Sequence, residues 1–124
     1  MKHLLTLLLF ISTSVMAESF YLVCEGKTTS YVDGAKSVNE SLITAEVTDA
    51  HIMFNNFLYR DQTDKYGWNM YSIGESEIKF GIVQTDFSSS GSINRISGEV
   101  EWFNGIGKNT RTFRGMCKKT DKAF

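Results

Sequence analysis

The apolar positions of this chain recur with a period of two. Ile78, Phe80 and Ile82 alternate with Glu77, Lys79 and Gly81, and Val100 and Trp102 alternate with Glu99 and Glu101. The same alternation runs from Thr112-Phe113-Arg114 into Met116-Cys117. Side chains of a strand point alternately to its two faces, so such runs predict strands with one buried and one wet face. Phe20-Tyr21-Leu22-Val23-Cys24 is apolar at every position, the pattern of a strand covered on both sides. Asp33-Gly34 and Asn104-Gly105 are hairpin-turn pairs, because both residues tolerate positive φ. Asp61 to Asp64 and Ser88-Ser89-Ser90-Gly91 read as loops. Strands are expected near residues 20–32, 41–48, 51–59, 66–73, 77–84, 92–103 and 109–118. Ser37-Val38-Asn39-Glu40 fits a helix capping box, but Leu42-Ile43-Thr44-Ala45-Glu46-Val47 favours a strand there.

The pattern as a whole predicts an all-β domain: a small antiparallel β-barrel or sandwich of seven to eight strands. Its N-terminal end departs from the pattern. Met1-Lys2-His3, an apolar run from Leu4 to Ile11, and Val15-Met16-Ala17 have the layout of a secretory signal peptide over residues 1–17. The apolar run is too short to cross about 30 Å of hydrocarbon. Residues 18–124 then form one domain, expected in the periplasm or secreted. The net charge is −1 over the whole chain, a balance that offers no field to recruit nucleic acid or an anionic membrane. The absence of proline argues against a rigid linker or stalk.

Cys24 and Cys117 are the only cysteines. Cys24 sits inside a strand pattern several residues past the leader, which does not suit a lipid anchor. A nucleophilic cysteine would have to use His51, the one histidine beyond the leader, and zinc would want about four ligands. Two cysteines in an exported chain favour a disulfide. A bridge requires Cα atoms within about 7 Å, so it would make the first and last strands neighbours. Phe20, Leu22, Phe113 and Gly115 would then line the core around it.

No nucleophile elbow, zinc-protease helix, P-loop or dinucleotide fingerprint is present. Glu99 and Glu101 fall on the wet side of a strand, and a hydrolase would have to be built on His51. Asp61-Gln62-Thr63-Asp64 lacks the glycine and distal glutamate of a calcium loop, so neither metal nor cofactor is expected. Aromatic density concentrates in Tyr66-Gly67-Trp68-Asn69-Met70-Tyr71, with Tyr66, Trp68 and Met70 on one face and Tyr71 opposite. Aromatics of this kind build core faces or interface hot spots. The candidate binding surface is therefore Tyr66, Trp68 and Tyr71 with Asp61, Asp64, Ser90 and Gly91.

Gly91-Ser92-Ile93-Asn94-Arg95-Ile96-Ser97-Gly98, with a cysteine near each end of the exported chain, resembles small exported proteobacterial proteins. The resemblance implies a β-rich periplasmic domain and names no activity. Tyr21-Leu22-Val23-Cys24-Glu25-Gly26 is also similar to the start of periplasmic inhibitors of c-type lysozyme. Their Ser-Gly-x-x-Tyr loop has an echo in Ser90 to Asn94, with Asn94 in place of the tyrosine. Their Lys-Gly segment has one in Ile73-Gly74-Glu75, without the lysine. These readings converge on a non-enzymatic exported binding domain. Its partner would be a protein held by exposed loops or, alternatively, a small apolar ligand inside the barrel.

Overall fold

The computed structural model describes residues 19–64 and 67–121, without the side chains of Thr63 and Asp64. The expected leader lies outside the described residues. Ten hydrogen-bonded segments follow in chain order: β1 (Ser19–Val32), β2 (Ala35–Thr48), β3 (His51–Phe54), β4 (Phe57–Arg60) and β5 (Gln62–Asp64), then β6 (Gly67–Ile73), β7 (Glu77–Gln84), β8 (Phe87–Asn94), β9 (Glu99–Ile106) and β10 (Asn109–Thr120). All pairings are antiparallel, in the order β4-β3-β2-β1-β10-β9-β8-β7-β6-β5. β4 and β5 are two halves of one extended run that bends at Asp61. The first half pairs with β3 and the second with β6, so one bent strand brings the two ends of the sheet together. The result is a nearly closed barrel of nine strands among the described residues.

The count of nine corrects the expected seven to eight, and each difference has a local cause. Residues 51–59 are divided by a turn at Asn55-Asn56, whose φ values of 52° and 68° suit a side chain that tolerates the left-handed region. The expected 92–103 strand is divided by a loop at residues 95–98. Ser88-Ser89-Ser90-Gly91 is not a loop but the middle of β8, paired on both edges. Asp61–Asp64 is a bend followed by strand. Asn104-Gly105 lies within β9, and the turn falls two residues later at Gly107-Lys108. Gly105 is paired with Ser88 on one side and Thr110 on the other, and the Phe103 ring lies about 3.1 Å from where its Cβ would stand. The Asp33-Gly34 turn and the strand reading of residues 38–47 hold.

Cys24 and Cys117 are bonded, and they face one another directly in the β1–β10 ladder. First and last strands are thus neighbours. Leu22 and Phe113 are buried in the same core cluster as Cys24, and Phe20 and Cys117 pack against that cluster. Two residues further, Gly26 faces Gly115. A Cβ on Gly26 would stand 2.0 Å from the Arg114 carbonyl oxygen, and one on Gly115 would stand 2.1 Å from that of Glu25. Only a glycine pair lets the two backbones approach this closely. Beyond it, β1 and β2 continue as a hairpin arm whose residues 31–40 are all exposed.

The barrel is filled by its own side chains. Trp102, Tyr59, Phe54, Phe80 and Phe113 are completely or almost completely buried. Phe54 packs its ring 5.2 Å from Phe80 and 5.3 Å from Trp102. Trp102 Nε1 donates to both Tyr59 Oη and Ser89 Oγ at 3.1 Å, and those two oxygens share a hydrogen bond of 2.7 Å. Ser89 thus satisfies the two polar tips that the aromatic core would otherwise strand. Burial raises the Tyr59 pKa, against the opposing hydrogen bonds from Ser89 and Trp102. Gly91 leaves room for the Phe80 ring, which would lie 2.4 Å from a Cβ there. A core packed this way is the side-chain-filled version of a small barrel.

Candidate functional site

At the disulfide end of the barrel, the chain between β8 and β9 forms a short, heavily tied loop. Asn94 Oδ1 accepts from the backbone N–H groups of Ile96 and Ser97 at 2.8 and 3.0 Å. Gly98 N–H donates to Asn94 O at 2.8 Å, closing the turn. Two bonds fasten the loop to its neighbours: Arg95 N–H to Ser76 O at 2.8 Å, and Cys117 N–H to Gly98 O at 2.7 Å. Gly98 has φ of 89°, and a Cβ there would stand 2.6 Å from Cys117 O, so glycine is required on both grounds. Five hydrogen bonds hold this turn, yet its central side chain, Ile96, is 83% exposed.

Beside the loop lies a recess of about 300 Å³. Its floor is apolar, formed by Phe20, Leu22, Ile78, Ile93 and Cys117. Its rim is basic, carrying Arg95, Lys118 and Lys119. Phe20 organises that rim: Lys119 Nζ stands 4.6 Å from its ring centroid and Arg95 Cζ stands 5.7 Å away. Both are within cation–π range. Arg95 also donates from Nη1 to Gly74 O at 2.6 Å, which locks the β6–β7 connection to the loop. A surface of apolar floor, basic rim and projecting isoleucine can seat an apolar side chain next to an acidic one.

Tyr71 belongs to the same end but not to the surface. It is buried, and its hydroxyl donates to Thr48 O at 2.6 Å. Desolvation pushes its pKa up to about 12, with Asp49 adding to the shift and Arg95 opposing it. Tyr71 thus lies on the buried face, opposite the outer face that carries Trp68. Trp68 and Ser90 are exposed on the outer surface of the sheet, on neighbouring rows: Trp68–Val83–Ser88–Gly105 and Met70–Gly81–Ser90–Phe103. Gly91 is pinned over Phe80, and Asp61 is exposed at the bend between β4 and β5. Tyr66 and the Asp64 side chain lie outside the described residues. The described members of the group thus fall in three places: the core, the outer sheet face and the bend. Asn94, Arg95, Ile96, Phe20 and Lys119 were not singled out as site residues. The signal that could have found them is the Asn-x-x-x-Gly spacing inside the Gly91–Gly98 motif.

His51 starts β3, where Thr48 Oγ1 accepts from its N–H at 3.0 Å and donates to its carbonyl at 3.2 Å. Its hydrogen bonds among the described residues are made by its backbone. Among the described residues no group of three or more His, Cys, Asp or Glu is placed to hold a metal ion. Comparison with protein-family models, with curated proteins and with solved structures finds no match to any of them. The reading of the site rests on its own geometry.

Proposed function

We propose that the protein is an exported, non-enzymatic binding domain. In this reading it takes a protein partner at the disulfide end of the barrel, with Ile96 as the apolar anchor and Arg95 and Lys119 as charge readers. The observation that carries the reading is the contrast within residues 94–98: five backbone bonds order the turn, while its largest apolar side chain is left in water. Rigid display of an apolar anchor lowers the ordering cost of association, which is how such anchors come to dominate interfaces. The recess matches one or two partner side chains and sits at the lower limit for enclosing a small ligand. The filled interior likewise favours a protein over a small apolar ligand. The disulfide is compatible with export.

The test is capture from periplasmic extract on the immobilised protein, with c-type lysozyme as one defined bait. Ile96→Asp is expected to release the captured partner, and Trp68→Ala, on the outer sheet face, is expected to retain it. Retention by Ile96→Asp together with release by Trp68→Ala would transfer the function to the other surface.

A further inference from the structure

The second edge of β2 is open over most of its length. β3 pairs with β2 only at Ala45, Glu46 and Val47, whereas β1 pairs with it from Ala35 to Thr48. Residues 35–40 and Leu42 are exposed, and no proline interrupts them. An open strand edge of this length is a template for another strand. Because Ile43, Ala45 and Val47 point into the barrel, alternation puts Lys36, Val38, Glu40 and Leu42 on the outer face. Val38 is 51% exposed and Leu42 62%. Neither Lys36 nor Glu40 is in an ion pair among the described residues, where the recorded pairs are Lys79–Glu77 and Arg114–Glu101.

We infer that two copies of this chain associate edge to edge through Ala35–Ser41, antiparallel, about a two-fold axis at Val38. In that register Val38 faces Val38 of the second copy. Lys36 faces Glu40 of the second copy, and Glu40 faces its Lys36. The pattern Lys-x-Val-x-Glu is complementary to itself only when read in opposite directions, which is what an isologous two-fold contact demands. The register also fits the length available. Pairing centred on Val38 runs from Ala35 to Ser41, and β3 occupies the edge from Ala45 onward. The arms overlap while the two barrels lie at opposite ends, so the 94–98 loop remains open in both copies. A contact of one strand per copy is small, so the dimer forms reversibly and depends on concentration.

Sedimentation equilibrium on the purified protein tests this. Wild type is expected to show a concentration-dependent monomer–dimer equilibrium. Lys36→Glu and Glu40→Lys each turn two opposite-charge pairs into two like-charge pairs, and each is expected to weaken the dimer about tenfold. An equimolar mixture of the two single variants restores opposite charges at both positions and is expected to dimerise as wild type does. The double variant K36E/E40K is expected to do the same. Restoration on mixing cannot come from misfolding of either variant. A protein that stays monomeric at every concentration would overturn the inference. So would a dimer that survives both single reversals, or single variants that fail to restore association when mixed.

Discussion

The two ends of this molecule expose apolar side chains in opposite ways. At the disulfide end, Ile96 projects from a turn whose backbone groups are bonded to Asn94, Ser76 and Cys117. At the other end, Val38 projects from a strand whose second edge is unpaired. The first end offers a shaped side-chain surface on fixed backbone, and the second offers the backbone itself. A rigid turn selects a partner by side-chain chemistry, whereas an open edge accepts a strand by its ladder and leaves choice to flanking charges. The Gly26–Gly115 pair marks the boundary between the barrel and the arm.

The comparison can be broken most strongly at the disulfide. Replacing Cys24 and Cys117 together by alanine removes a cross-link spanning 93 residues. The cost is expected to be about 2–5 kcal/mol in equilibrium denaturation. Gly26→Ala strikes the boundary and is expected to cost about 3 kcal/mol, because its Cβ meets backbone that cannot swing aside. Gly98→Ala acts on the loop alone. Its positive φ and the clash with Cys117 O put the expected loss at about 2 kcal/mol, accompanied by faster amide exchange at Ile96 and Ser97.

Alkaline pH gives a gentler probe of the same end. Tyrosine ordinarily ionises near 10.0, and Tyr71 does so at about 12. Between those values the unfolded chain has released a proton that the folded chain keeps, so stability falls as pH rises through that window. Tyr71→Phe is expected to remove this part of the alkaline decline, as read from denaturation midpoints across the window. The arm gives the smallest effect: Lys36→Ala is expected to change monomer stability by no more than about 0.5 kcal/mol.

The barrel was legible wherever one strand face is buried. Ile78, Phe80, Val100, Trp102 and Phe113 occupy the inner positions that their alternation predicts, and the bridge between the first and last strands is the pairing expected of the chain's two cysteines. Legibility failed where a distant partner decides the outcome. Ser89 reads as a loop residue until Trp102 and Tyr59 are placed around it. Asn104-Gly105 reads as a turn until β8 and β10 pair with it on both sides. The 94–98 loop was hidden because the few apolar residues around it, Ile93, Ile96 and Val100, read as parts of one strand, and two of its bonds come from Ser76 and Cys117, far away in sequence. Composition therefore pointed to the aromatic run near Trp68, while the most ordered display of an apolar residue lay elsewhere.

The central claim is that the 94–98 turn is ordered for presentation and that Ile96 contributes to binding, not to the fold. The direct measurement is Ile96→Asp, with denaturation and partner capture read on the same preparation. The predicted result is an unfolding free energy within about 0.5 kcal/mol of wild type together with loss of capture. Full capture by a variant of unchanged stability would contradict the claim.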